Sequence, residues 1–182
     1  MATGPVVVFG GTGHYGRWIV ASLVRRGTPV RVVSRNPEAA RKIVGEAPAI
    51  VEGDIVSENA VALALEGARA VVSCVSATNS KLIRRRREIE RDAVLRMLAR
   101  AQAAGVARVI YLSAFEIREE FIRKLGVWPL AENHVEIERA LAGSKLDWTV
   151  FGCPPSQEMF FAMLRGDRLI ILQACFEIEP AR

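Results

Sequence analysis

Short runs of β-branched and other apolar residues alternate along the chain with longer stretches whose apolar positions recur every three or four residues. Val6–Phe9, Val30–Ser34, Ile50–Val51, Ala70–Val75, Val109–Leu112 and Trp148–Phe151 read as buried strands, each bounded by Gly, Pro or polar residues. Between them Tyr15–Arg26, Pro37–Val44, Ser57–Leu65, Lys81–Ala104 and Ala131–Ala142 read as helices. In the longest, Ile83, Ile89, Val94, Met97, Leu98 and Ala101 gather roughly on one side, with charged residues elsewhere. Gly27, Gly67, Gly105 and Gly143 each follow a helix end, where a left-handed capping residue is wanted. Repeated strand–helix alternation predicts right-handed crossovers and an α/β fold: a doubly wound parallel sheet with helices on both faces. After Phe151 the pattern weakens. Gln157–Leu164 suggests a short helix, and Leu169–Gln173 and Cys175–Ile178 suggest strands. Residues 155–182 are too few for a second domain, so the 182 residues read as a single domain with a short C-terminal extension on the substrate side.

Composition narrows the class. Hydrophobic residues at 51% against 25% charged exclude a disordered chain. No apolar run approaches the roughly 20 residues of a membrane span, and the start MATGPVVVFGG lacks the basic flank and apolar length of a signal peptide. Cys74, Cys153 and Cys175 are odd in number and widely spaced, giving neither a disulfide framework nor a metal pattern, and a reducing cytoplasm fits best. With His14 and His134 the only histidines, a histidine-rich metal site is excluded.

The net charge of +5 favours anionic partners. Its densest part is Arg84–Arg87, yet four successive helical residues spread around the circumference at about 100° each and form no flat phosphate-binding face. Arg84–Glu88 and Arg86–Glu90 stand at i,i+4, so part of this charge is expected to pair locally. A solvated helix end is the expectation, and no recognised nucleic-acid motif accompanies the run.

The strongest motif is Gly10-Gly11-Thr12-Gly13-His14-Tyr15-Gly16, directly after the first strand and opening the first helix. Glycine there lets the chain turn tightly and lets backbone N–H groups approach a pyrophosphate, while the helix start adds partial positive charge. The plainer alternative is glycines that serve only the turn. Gly11, Gly13 and Gly16 fit GxGxxG, and Gly10, Gly13 and Gly16 fit GxxGxxG. An NAD site usually ends its second strand in Asp or Glu, which binds the ribose 2′-hydroxyl. Here the strand ends in Ser34-Arg35. A guanidinium can pair bidentately with a 2′-phosphate and stack on adenine, so NADP is favoured over NAD unless Arg35 is merely an exposed strand-end charge.

These segments resemble the NmrA-like group of atypical short-chain dehydrogenases/reductases, Rossmann proteins that bind NAD(P). FGGTGHYG resembles the family's phosphate loop, RVVSRNPE its second strand with Arg, EGDI (Glu52–Ile55) its third-strand signature, AGVARVIYLSA (Ala104–Ala114) its fifth-strand segment and HVEIERALAGSKLDWTV (His134–Val150) its helix and "DWT" strand. The resemblance runs roughly from residue 5 to 155. It implies that Asp54 and Ile55 border the adenine, that the Val75-Ser76-Ala77 turn runs beside the cofactor, and that His134 stands where relatives carry Lys or His near the nicotinamide. Ser113 resembles the short-chain catalytic serine.

Three departures bear on chemistry. Neither Tyr15 nor Tyr111 has Lys four residues later, so the short-chain Tyr-x-x-x-Lys pair is missing. Gly152-Cys153-Pro154 replaces the usual Arg-Pro after the last strand. The chain also stops where typical relatives build a substrate lobe, and in length it resembles the small biliverdin/flavin-reductase-like members. His134 is a candidate proton donor, cofactor-orienting group or satisfied polar residue, with no group visible in sequence to fix its tautomer. Ser113 is expected to position substrate or cofactor, or to bond backbone. Phe115–Leu130, with Phe121, Ile122, Leu125 and Trp128 at helical spacing, is the expected substrate-side lid. Two functions are compatible with these residues: an NADPH-dependent reductase of a small organic acceptor (quinone, flavin or carbonyl compound), or a non-catalytic NADP(H) sensor acting through a protein partner.

Overall fold

The computed structural model describes residues 4–77, 82–114, 119–124, 128–153, 164–165 and 168–169. Strands β1 (Val6–Phe9), β2 (Val30–Ser34), β3 (Ala49–Glu52), β4 (Ala70–Ser73), β5 (Arg108–Ala114) and β6 (Asp147–Cys153) alternate with α1 (Gly16–Arg25), α2 (Pro37–Val44), α3 (Glu58–Leu65), α4 (Ala93–Ala103), α5 (Glu119–Lys124) and α6 (Trp128–Ala142). The six strands pair in parallel in the order β3-β2-β1-β4-β5-β6, the predicted doubly wound α/β sheet. A two-residue hairpin, β7 (Leu164–Arg165) with β8 (Arg168–Leu169), is separate from it. The helix and strands expected over Gln157–Leu164, Leu169–Gln173 and Cys175–Ile178 otherwise lie outside the described residues.

Strand alternation builds two cores. Val7, Phe9, Val71, Val109 and Tyr111 face α3, α4 and α6, whereas Val6, Val8, Val30, Val32 and Val72 face α1. Most of these are fully buried because a parallel sheet is covered on both faces. Local signals start the helices: Asn36 Oδ1 accepts from Ala39 N at 2.9 Å, and Ser57 Oγ accepts from Ala60 N at 3.3 Å.

The sequence pattern errs at α6, which begins at Trp128 rather than Ala131, at Leu164, which is in a strand rather than a helix, and in the two places that follow. Gly143 does not take the left-handed conformation expected after α6. The continuous helix expected over Lys81–Ala104 is three pieces: a 3-10 turn at Ile83–Arg85, a π turn at Arg87–Asp92, then α4. The altered pitch re-pairs the charges. Glu88 bonds Arg85 rather than Arg84, at 2.7 and 2.8 Å, whereas the expected Arg86–Glu90 pair does form. Arg84, Arg85 and Arg87 are exposed, as a solvated end requires.

Strand order reverses between β1 and β4. In an open α/β sheet ligands bind outside the carboxyl ends of the strands at such a reversal. The loops after β1, β2, β3, β4 and β5 therefore define where to look.

Candidate functional site

The glycine loop sits at the carboxyl end of β1. It closes through a bond from Gly13 N to the Gly10 carbonyl at 2.9 Å, with Gly10 at φ +77°, a conformation glycine adopts without penalty. The loop is packed by backbone. A Cβ on Gly16 would come within 2.1 Å of Gly10 O and 2.7 Å of Gly11 Cα, and one on Gly10 within 2.5 Å of Cys74 O. Gly11 is closed off by Val32, 2.9 Å from where its Cβ would stand. Gly13 is different: its Cβ would meet only Gly10 O, at 3.1 Å, and the residue is exposed. Thr12 is half-buried and His14 exposed, with the His14 and Tyr15 rings edge to face at 4.9 Å. Helix α1 opens at Tyr15 with no side chain capping its first N–H groups. A glycine opening before an uncapped helix start fits a pyrophosphate.

Ser34 and Arg35 stand at the end of β2. Ser34 Oγ donates to Asn36 O at 3.1 Å and helps turn the chain into α2. Arg35 Nε lies 3.6 Å from Asp54 Oδ2, with 61% of the Arg35 side chain exposed. So long and wet an ion pair holds Arg35 weakly, leaving it available to a ligand phosphate. Ile55, beside Asp54, is buried in the core.

Across the strand-order reversal, β4 continues into Cys74–Ala77, and its path is fixed by a residue that sequence reasoning misses. Glu90 Oε1 accepts from Ala77 N at 2.7 Å and from Ser76 Oγ at 3.3 Å, while its other oxygen pairs with Arg86. Glu90 is 5% exposed, so its charge requires these partners. Val75 packs against the core on the same side. The signal in the sequence is an acidic residue beside the apolar Ile89 on a helix, which within so charged a run reads as part of a solvated face.

The next strand holds a second group that sequence reasoning misses. Tyr111 and Ser113 alternate onto one face of β5, while His134 and Glu138 lie one turn apart on α6. The Tyr111 hydroxyl lies 2.7 Å from His134 Nδ1, and Ser113 Oγ donates to Glu138 Oε1. His134 therefore does have a supporting group, although none is visible in the sequence. Ser113 is buried with its proton committed to a carboxylate, so toward any ligand its remaining capacity is to accept. A hydroxyl in that state cannot also polarise a carbonyl.

Burial pushes the Tyr111 hydroxyl well above its usual 10.0, with Glu90 and Glu138 adding in the same direction, so it stays protonated. Burial lowers the His134 imidazole below 6.5; nearby Glu90 opposes the shift and Arg86 adds to it. The unfolded chain thus binds a proton that the folded chain refuses in the window just below 6.5. Stability is fully present above that value and falls as pH drops through it towards the lower folded value. Replacing His134 with Gln is expected to flatten this acid-side loss, checked by thermal melts between about pH 5.5 and 7.5.

The remaining candidates are the thiols and the expected lid. The Cys74 thiol is pushed up to about 12, chiefly by burial and then by Cys153, and donates to Phe9 O at 3.2 Å. Burial also raises Cys153. Of the expected lid, Arg123 stacks on Trp128 at 3.6 Å, while residues 115–118 and 125–127, and the side chains of Phe121 and Ile122, lie outside the described part. Among the described residues no cluster of His, Cys, Asp and Glu could hold a metal, and no helix is long and apolar enough to cross a membrane.

Comparison with known proteins agrees with this geometry. A family model described as NAD(P)H-binding matches residues 10–155. Photosystem II assembly factor Ycf39 of Trieres chinensis is 27% identical over 146 residues, 80% of this chain and 44% of its own. Quinone oxidoreductase 2 of Escherichia coli K12 is 25% identical over 147 residues, 80% of this chain and 46% of its own. The solved NADPH complex of the Escherichia coli quinone oxidoreductase QOR2 shares the fold at a TM-score of 0.65 and 23% identity, over 86% of this chain and 51% of that one. A putative NAD-dependent epimerase/dehydratase of Bacillus halodurans does so at 0.74 and 19% identity, over 84% of this chain and 71% of that one. The chain spans less than half the length of these curated relatives. With the glycine loop and strands β2 to β6 all inside the matched span, the chain belongs to the NAD(P)H-binding family, on a Rossmann-like α/β fold.

Proposed function

We propose that the chain is an NADPH-dependent reductase of a small organic acceptor, a quinone, flavin or carbonyl compound. The observation that carries this reading is the pairing, at one carboxyl edge of the sheet, of an open glycine loop with a half-buried, neutral imidazole held by Tyr111. Bound NADPH supplies a hydride. Gly10, Gly11, Thr12, Gly13, His14, Tyr15 and Gly16 hold the pyrophosphate, and Arg35 with Ser34 reads the 2′-phosphate in place of the carboxylate that an NAD site carries. Asp54 and Ile55 border the adenine. Glu90 fixes the path of Val75, Ser76 and Ala77, which would run beside the cofactor, by anchoring the Ala77 N–H and the Ser76 hydroxyl. His134 offers a neutral N–H to the acceptor oxygen or the cofactor amide, and Ser113 accepts from a ligand donor. Solvent protonates the product, because a neutral imidazole is a hydrogen-bond donor and a poor acid.

A neutral donor that orients contributes less than a general acid, whose removal costs roughly 10²–10⁴-fold. His134→Ala is therefore expected to lower turnover by no more than about tenfold, the worth of one neutral hydrogen bond, with a modest loss of NADPH affinity. Steady-state kinetics beside fluorescence titration checks this. A loss beyond a hundredfold at unchanged affinity makes His134 the acid.

The likeness to an assembly factor favours a second reading, an NADP(H)-responsive protein that acts through a protein partner. NADPH oxidation assayed with quinones, flavins and aldehydes separates the two. Turnover supports the reductase; tight NADPH binding without turnover on any acceptor supports the sensor.

A further inference from the structure

The Tyr111–His134 contact can be read in two directions, and proton counting decides between them. If the imidazole donated from Nδ1, the Tyr111 hydroxyl would accept and its own proton would need another acceptor. Among the described residues the hydroxyl has no hydrogen-bond partner besides His134 Nδ1, at 2.7 Å. Tyr111 is 2% exposed, so water is not the answer either. A buried hydroxyl proton left without an acceptor is costly, whereas donation to Nδ1 satisfies both groups. A neutral imidazole that accepts at one nitrogen must carry its proton on the other.

We propose that Tyr111 is a positioning residue that fixes His134 as the Nε2–H tautomer, so that the site always presents a donor, and never an acceptor, from this ring. The second contact of the pair of elements has the same logic. Glu138 takes the Ser113 proton, so β5 and α6 together present one fixed donor, His134 Nε2–H, and one fixed acceptor, Ser113 Oγ. That polarity matches a ligand that offers both an acceptor and a donor, such as a carboxamide or a hydroxy-carbonyl compound. Suppressing the wrong tautomer removes the population of sites that would meet a ligand oxygen with a bare ring nitrogen. The use made of the donor rests on the reductase reading. The tautomer itself does not, and it is measurable in the chain alone.

The chain has only two histidines, and His14 is exposed, so nitrogen NMR of the histidine-labelled protein resolves His134 directly. Above neutral pH and without added nucleotide, the expected spectrum shows His134 Nδ1 unprotonated and hydrogen-bonded and Nε2 protonated. Tyr111→Phe keeps the ring and removes the hydroxyl, and should give the averaged signals of two exchanging tautomers. A protonated Nδ1 in the unmodified protein overturns the proposal whether or not the variant folds. So does a Tyr111→Phe spectrum identical to the original. The outcome stands apart from turnover: a fixed Nε2–H tautomer in a protein that oxidises no NADPH keeps the proposal and removes the reductase, and the reverse result does the opposite.

Discussion

Valine at position 13 is expected to abolish NADPH binding and leave the domain folded. Gly13 is the least crowded glycine of the loop. A Cβ there meets only Gly10 O, at 3.1 Å, a contact that a shift of the loop by a few tenths of an ångström relieves. Nor is the backbone at Gly13 in the left-handed region, so a β-branched residue carries no conformational penalty of that kind. The added methyls instead occupy the space a pyrophosphate needs to reach the loop N–H groups. Gly16 supplies the contrast, since its Cβ would lie 2.1 Å from Gly10 O, and Gly16→Ala should lower thermal stability as well as binding. Titration of NADPH fluorescence, with thermal melts of each variant, checks both. Unchanged affinity in a folded Gly13→Val protein would remove the loop from the cofactor site.

Replacing Arg35 with glutamate should cost at least roughly tenfold in NADPH affinity and far less in NADH affinity. Lost charge-assisted bonds to a phosphate are worth on the order of 1.5–3 kcal/mol, and each ~1.4 kcal/mol is a factor of ten. The fold gives no reason for a general loss. The Arg35 side chain is 61% exposed, and its contact with Asp54, at 3.6 Å, is a weak surface pair. The introduced carboxylate would also stand beside Asp54, adding like charge where the 2′-phosphate arrives. Arg35→Lys keeps the charge but loses the fork, and should fall between the two. Equal losses for both nucleotides would mean that Arg35 supports the pyrophosphate or the fold.

The sheet and the cofactor loop are legible in the sequence because their signals are local. Val6–Phe9 and Val30–Ser34 announce strands by four or five mostly apolar, β-branched residues in a row, and the glycine loop lies between one of them and a helix within ten residues. The hydrogen-bond partners at the other end of the site are not legible. Tyr111 and His134 stand 23 residues apart in the chain, and Ser113 and Glu138 stand 25 apart, so only the packing of α6 against β5 brings them together. Looking for Lys four residues after Tyr111 tests for one arrangement of a tyrosine among several. Glu90 is hidden differently. Its i,i+4 relation to Arg86 is readable, but its burial depends on a change of helical pitch that the apolar spacing shows only as the five-residue step from Ile89 to Val94.

That change of pitch has a consequence for how the chain tolerates length changes. The π turn at Arg87–Asp92 holds one residue more than an α-helix would over the same rise, and so lets two stretches of one rod be aimed independently. Downstream, Val94, Met97, Leu98 and Ala101 are phased to the sheet; upstream, Glu90 is phased to the Ser76–Ala77 backbone. Deleting a single residue from the turn would restore regular winding and leave the stretches before and after it in nearly their present phase. Winding all its residues as regular α-helix would instead rotate the preceding stretch by about 100° relative to α4. The core would then keep its register while the carboxylate swung away from the strand end it ties down. The turn is therefore the place in this rod where losing one residue disturbs the packing least.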